Sequence, residues 1–516
     1  MSEATAVRLT PRQIITAMSG LIIAMLLAQL DNMIVAPALP TIVGDLGGLD
    51  HLSWVVTGYI VASTVATPIW GKLGDLFGHK LTFMVSIVMF LIGSAMCGAS
   101  QSMTELVLFR AFQGLGAGGL MVGIMSVIGM MVSPRERGKY MGVMMAIMPA
   151  AMIGGPLIGG WITDNASWRW AFYVNLPLGI ISLVVVWLTL KLPAEVKPAG
   201  KVVIDWWGAS TLSVWITSLV LMVTWGGSQY AWGSWQTISL GVIAVVGFIA
   251  FVLIERRAAE PIMPLRLFSN LNFSLASALG FVAGFAMFGG ITFLPQFQQF
   301  VQGKSATNSG LLLLPMMIAA MSVSMLGGLV ISKTGRYRVF PIVGTVLLTA
   351  GLWLFSTMSV DTSTFQTGVY MAVLGAGMGC LMQTTSLIAQ NSVAISDIGA
   401  ATGASTFTRN MGGSLGVSIL GAIYASQLTS TLGGAGAAGS ASDSTLTPAV
   451  FHKLPEAAQA LFKQAVTNGT DAIFLVSAIV AAMGFVLAWF IKEVKLRDSI
   501  ASTAETIEES LENIAI

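Results

Sequence analysis

The sequence predicts an all-α protein threaded many times through a bilayer, on three observations. Of its 516 residues, 55% are hydrophobic and 9% are charged, against roughly 25% charged in a soluble domain. A soluble chain of this length needs more charge to cover its surface, and lipid contact removes that need. Apolar runs of about 20 residues, the length a helix needs to cross the hydrocarbon core, recur along the chain. Backbone groups in lipid must bond within their own segment, so each run is helical. Lys and Arg, finally, fall almost entirely in alternate connecting segments.

Spans are expected near 14–37, 52–71, 81–99, 105–131, 139–162, 168–190, 205–224, 235–254, 271–297, 306–331, 339–358, 366–390, 399–427 and 469–491, fourteen in all. The first run is too long for the apolar region of a signal peptide, so it reads as a retained span. An even number returns both termini to one side. That side then holds nineteen of the 25 Lys and Arg residues, the opposite side four, and Arg110 and Arg409 fall within spans. The basic side is cytoplasmic by the positive-inside rule, so both termini are expected there, with the protein in the plasma (inner) membrane.

The expected organisation is a cytoplasmic N-terminus (1–13), a six-helix bundle (14–190), an inserted helix pair (205–254), a second six-helix bundle (271–491) and a cytoplasmic tail (492–516). A long outer loop, 428–468, interrupts the second bundle. Its Gly433–Ser444 part is rich in Gly, Ala and Ser and reads as flexible. Its Pro455–Val466 part reads as a short amphipathic helix. The two bundles rest on an internal repeat. Gly71-Lys72-Leu73-Gly74-Asp75-Leu76-Phe77-Gly78-His79 closes the second span, and Gly328-Leu329-Val330-Ile331-Ser332-Lys333-Thr334-Gly335-Arg336 closes the tenth, 257 residues later. The same offset carries Gly155 onto Gly412 and Gly159 onto Gly416. Repeated halves with a site at their interface are the architecture of alternating-access carriers.

Five motifs give the chain a family likeness. Leu30-Asp31-Asn32-Met33-Ile34-Val35-Ala36-Pro37-Ala38-Leu39-Pro40 lies in the first span, and Gly71 to Lys80 follows the second. Arg110-Ala111-Phe112-Gln113-Gly114-Leu115-Gly116 lies in the fourth and Gly155-Pro156-Leu157-Ile158-Gly159-Gly160 in the fifth. Trp168-Arg169-Trp170-Ala171-Phe172-Tyr173-Val174-Asn175-Leu176-Pro177 opens the sixth. In this order and at these depths they resemble the major facilitator superfamily, and within it the fourteen-span drug:proton antiporters. The resemblance implies two pseudo-symmetric six-helix bundles plus two extra helices. It also implies proton-coupled export of small hydrophobic or cationic drugs. Leu76 and His79 stand where that family commonly has basic residues, so part of an electrostatic latch is expected to be missing. Ala151 replaces a common glycine, and Leu311–Ile331 lacks the acid that some exporters of divalent cations carry.

Asp31 is the central residue. It sits among Leu26, Leu27, Leu30, Ile34 and Val35, where an ionised carboxylate costs at least ~2.5 kcal/mol on insertion scales. Burial favours the neutral form of such a group, so it can take a proton on one side and release it on the other. It can also pair with a cationic substrate, or serve only as an interhelical hydrogen-bonding residue. A buried Arg110 needs an acceptor; it reads either as a bias on a nearby carboxylate, with Gln113 one turn on, or as a helix lock. Glu105 is a further relay candidate nearer the outer boundary. Arg409 reads equally as clamp or coupling residue. Gly71, Gly74 and Gly78 permit tight turning, and Asp75 can accept hydrogen bonds at a facing helix N-terminus, where the dipole favours an anion. With Lys80 they form a gate rather than a binding site. Gly155, Pro156, Gly159 and Gly160 weaken the helix ladder and admit a close neighbour. Met148, Met152, Phe293, Gln296, Met317 and Met321 are candidates to line a cavity, since methionine adapts to varied shapes; ordinary helix packing explains them equally.

Other chemistries are excluded. Gly303-Lys304-Ser305 lacks the first glycine of a phosphate loop, since position 298 is Gln298. His51, His79 and His452 lie in separate loops, and Cys97 and Cys380 in separate apolar stretches, so no metal site or disulfide framework is expected. No cofactor, no catalytic constellation and no nucleic-acid patch is present in the pattern, and a monomer is expected. Beside drug export, the sequence leaves open a dedicated exporter of one metabolite, antibiotic or lipid, and more remotely a membrane sensor or scaffold.

Overall fold

The computed structural model describes residues 11–46, 52–132, 136, 140, 144, 147–190, 204–227, 229–304, 311–433 and 455–496. Among these residues fourteen helices of fifteen residues or more follow one another, each overlapping one predicted span. The first six are α1 (Pro11–Leu46), α2 (Leu52–Phe77), α3 (His79–Ala99), α4 (Met103–Met131), α5 (Ile147–Asn165) and α6 (Asn175–Thr189). The pair α7 (Trp206–Trp225) and α8 (Trp235–Glu255) comes next. The last six are α9 (Leu271–Phe300), α10 (Leu314–Thr334), α11 (Val339–Phe355), α12 (Thr364–Asn391), α13 (Ile398–Gly433) and α14 (Glu456–Trp489). Ten of these are long and apolar enough to cross a membrane by length and composition, while α11 and the Leu271–Met287 part of α9 are apolar but shorter.

Side-chain caps mark several helix starts, satisfying donors that the first turn leaves open. Ser102 accepts from the Glu105 amide, Asp205 from Gly208, and Ser234 from Thr237. Ser363 and Gln366 form a reciprocal capping box at α12. One expectation needs correction. The segment read as a separate helix from Pro455 is the first third of α14, a single helix of 34 residues. No breaker separates the two: Phe462, Ala465 and Val466 continue the apolar stripe that Ile473 and Phe474 extend. At the other end α13 runs on to Gly433, so only 434–454 remain of that outer loop, and they lie outside the described residues.

Glycines set the closest helix pairs. A Cβ on Gly155 would strike Met33, and one on Gly159 would strike the Ile34 carbonyl, so α5 lies directly on α1. In the second half a Cβ on Gly412 would strike the Phe281 carbonyl, and one on Gly416 would lie 2.9 Å from that of Phe285. The 257-residue offset therefore reproduces one physical contact, α5 on α1 and α13 on α9. The inserted pair touches both halves: Trp225 meets Trp54 of α2 edge-on at 4.7 Å, and Trp215 meets Phe407 of α13 at 5.7 Å. Hydrogen bonds that join the two halves cluster at the end carrying the basic loops. There Gln390 Nε2 donates to the Met125 carbonyl at 3.4 Å, and the Gly399 and Ala400 amides donate to Asp75.

These contacts separate two neighbouring glycines. Gly159→Val should lower the stability of the detergent-solubilised protein by about 1–3 kcal/mol, the usual cost of overpacking. Gly160→Ala, whose Cβ would meet nothing within 4 Å, should melt like the parent. Equal melting of the two variants would refute the α1–α5 contact.

Candidate functional site

Asp31 lies in the middle of α1 with its side chain wholly buried. It is not isolated there. Arg110 Nη1, from α4, donates to Oδ2 at 2.7 Å. Gln113 Nε2, one turn along α4, donates to Oδ1 at 2.8 Å. Asn175 Nδ2, from the first residue of α6, donates to the same Oδ1 at 2.7 Å. Three donors from two helices thus converge on one carboxylate of a third. The nearby carboxylate that Arg110 was expected to meet is therefore Asp31, and the two buried charges form an ion pair.

The donors are themselves held. Arg110 Nη1 also donates to Gln113 Oε1 at 2.9 Å, and its Nε donates to the Val55 carbonyl at 3.4 Å. The guanidinium lies 4.1 Å from the centroid of the buried Tyr59 ring, a cation–π contact. Asn175 Nδ2 also donates to Ser94 Oγ at 2.9 Å, and Ser94 Oγ donates to the Phe172 carbonyl at 2.9 Å. Asn175 Oδ1 is buried with no partner among the described residues. The small residue Gly93 lets α3 reach α4 beside this network, since a Cβ there would lie 2.6 Å from Gln113 Cα. In turn, Gly155 and Gly159 fix α1 one turn past Asp31.

A second constellation joins the halves at the basic end. The Gly399 amide donates to Asp75 Oδ1 at 2.8 Å and the Ala400 amide to Oδ2 at 2.7 Å. These are open donors of the first turn of α13, where the helix dipole also favours an anion. Gly71 and Gly399 permit the approach: a Cβ on either would strike the carbonyl of the other. Gly78 adopts φ 97°, a left-handed conformation, between α2 and α3. His79 Nε2 stands 3.3 Å from Asp75 Oδ1, so the position where a basic residue was expected to be missing still supplies a titratable partner. Around the latch, Lys72 Nζ pairs with Glu260 at 2.6 Å and Arg266 with Asp397 at 2.9 Å. Both acceptors flank the latch, one in the segment after α8 and one just before α13.

A family model described as Major Facilitator Superfamily matches residues 21–417. The chain belongs to the major facilitator superfamily. It is therefore a membrane-spanning transporter of small molecules and not an enzyme. The chain is 40% identical to the multidrug transporter protein MdtP of Bacillus subtilis over 78% of this chain and 74% of that one. It is 34% identical to multidrug resistance protein 3 of the same organism over 94% of this chain and 96% of that one. Its fold is similar to that of the proton:xylose symporter XylE bound to 6-bromo-6-deoxy-D-glucose, with a TM-score of 0.60, 12% identity, and coverage of 94% of this chain and 97% of that one.

The structure sorts the residues that sequence reading singled out. Asp31, Arg110 and Gln113 come together. Glu105 does not join them: it accepts from the Gln101 amide at 2.8 Å and serves the start of α4. Lys80 Nζ donates to the Trp187 and Leu190 carbonyls at 2.8 and 2.7 Å, capping the end of α6 within the first half. Gly155 and Gly159 are contact glycines, while Gly160 faces open space. Phe293 packs against Tyr424 at 5.4 Å within the second half's core, and Gln296, Met317 and Met321 are half-buried. The side chains of Met148, Met152 and Pro156, like His51 and His452, lie outside the described residues. Sequence reading quoted Asn175 in a motif but gave it no role. Its signal was an asparagine amid apolar residues at a span's start, a costly placement without a buried partner.

Truncating one member of the charged pair should be costlier than neutralising both. Arg110→Ala strands the carboxylate and should cost about 3–5 kcal/mol. Asp31→Asn combined with Arg110→Gln should recover most of that loss in a thermal-melt double-mutant cycle. Additive losses would show that the pair is not coupled.

Proposed function

We propose that this transporter exports small hydrophobic or cationic drugs across the plasma membrane in exchange for protons, by alternating access between two six-helix halves. The halves are 14–190 and 271–491, with 205–254 inserted beside their seam and both termini on the cytoplasmic side. The observation that carries the proposal is the Asp31 network. A carboxylate wholly enclosed by Arg110, Gln113 and Asn175 can take up one proton only by giving up its countercharge. Arg110 is then released to seek the Val55 and Gln113 acceptors it already touches. Protonation thus changes how α1, α4 and α6 are tied, which is what a coupling residue must do: bind the ion and bias a conformational equilibrium by differential contacts.

The Asp75 latch supplies the other half of the cycle. With the Gly399 and Ala400 amides on Asp75, the cytoplasmic end is held shut, so this conformation is read as the outward-facing one that follows drug release. Proton binding from outside and opening of the latch would return the site to the cytoplasm. Similarity to MdtP and to multidrug resistance protein 3 supports an efflux direction and varied cargo.

The experiment is export of a lipophilic cation and of an uncharged dye from proteoliposomes under an imposed pH gradient. Wild-type protein should transport only with the gradient, and Asp31→Asn should fall to the passive leak while still exchanging substrate down its own gradient. Gradient-driven export by Asp31→Asn at the wild-type rate would reject Asp31 as the coupling group. In the same assay Asp75→Ala should slow net export by weakening the outward-facing state, without abolishing substrate binding.

A further inference from the structure

The spans contain two arginines, Arg110 and Arg409, with opposite environments. Arg110 is buried, paired to a carboxylate, bonded to two further acceptors and stacked on a ring. Arg409 is half-buried, and among the described residues no carboxylate or carbonyl accepts from its guanidinium. It stands eleven residues into α13, about 16 Å from the latch at 1.5 Å per residue, which is near the middle of a hydrocarbon core roughly 30 Å thick. The carboxylates nearest it in the second half cannot reach it. Asp397 is twelve residues back, about 18 Å along the axis, and already pairs with Arg266. Asp471 sits near Gly469, which meets Tyr424, fifteen residues or about 22 Å further along α13.

A guanidinium at that depth with no such partner among the described residues does not face lipid; it faces the bundle interior or a water-filled cavity. Its position on α13 agrees. Its backbone lies against α9, where Gly280 and Gly284 take the place of side chains: a Cβ on Gly280 would lie 3.9 Å from Arg409 Cβ, and one on Gly284 would strike the Arg409 carbonyl. The same offset of 257 residues takes Arg409 back to Met152, so the first half has no matching cation. Asp31, the acid that a cationic substrate would seek, is wholly buried with both oxygens engaged. Among the described residues Arg409 is thus an accessible charge near mid-span.

We propose that Arg409 is a substrate-binding residue that gives the transporter a preference for hydrophobic compounds bearing a carboxylate over neutral and cationic analogues. A guanidinium offers five donors in a planar fork that matches a carboxylate and remains charged at every physiological pH. The inference rests on the reading of this chain as an exporter and narrows its cargo; it does not depend on how transport is driven.

The test is equilibrium binding to the purified full-length protein, followed by tryptophan fluorescence, of three fluorescent aromatic probes sharing one skeleton: a carboxylic acid, its methyl ester and its dimethylaminoethyl amide. Wild-type protein should bind the acid at least about tenfold tighter than the other two, a difference of ~1.4 kcal/mol. Arg409→Gln should lose that preference while binding the ester as before, and Arg409→Lys should keep it in weaker form. Ester binding by each variant reports that it is folded. Equal wild-type binding of all three probes, tighter binding of the amide cation, or an equal loss for all three in Arg409→Gln would overturn the proposal. Gradient dependence is read separately in proteoliposomes, so failure of proton coupling leaves the binding preference standing, and the reverse.

Discussion

The ion pair between Asp31 and Arg110 is the constraint on which the rest of the first half depends. Neither charge is tolerable alone at that depth, and desolvating both is repaid only when geometry is close and the remaining hydrogen-bonding positions are filled. The surroundings meet that demand. Gln113 and Asn175 fill Oδ1, Tyr59 covers the guanidinium, Gly93 brings α3 onto α4, and Gly155 and Gly159 bring α5 onto α1. The pair thereby ties α1, α4 and α6 into one unit. On the proposed mechanism a single proton loosens that unit, and this is how a chemical event of atomic size becomes a movement of helices.

Between the halves a different economy applies. Their junction at the basic end uses one carboxylate and two backbone amides, with glycine against glycine around them. Such a contact is close and directional. The ion pairs of Lys72 with Glu260 and of Arg266 with Asp397 lie around it. Arg266 is largely exposed, so its pair adds little. The inserted helices bear on both α2 and α13 through tryptophan.

Much of this was legible from residues alone. Each predicted span overlaps a helix because a 20-residue apolar run leaves the backbone no other way to satisfy itself in lipid. The 257-residue offset carried real physics: Gly155 and Gly412 make equivalent contacts. Asp75 was legible because acid, glycines and a facing helix start leave few alternatives. What was not legible depended on facing. The start of α14 looked like a separate short helix because amphipathic patterning does not say whether a helix continues. Lys80 looked like part of a gate, although its reach to the α6 carbonyls needs a tertiary neighbour 107 residues away. Which carboxylate Arg110 and Gln113 would meet was not legible, because Asp31 lies 79 and 82 residues from them, and Asn175 a further partner at 144.

The most direct test of the account is infrared difference spectroscopy of the purified protein as substrate is added. It predicts that a carboxylate band converts to that of a protonated carboxyl as the substrate-free and substrate-bound states exchange, and that this change vanishes in Asp31→Asn. An unaltered difference spectrum in that variant would contradict it.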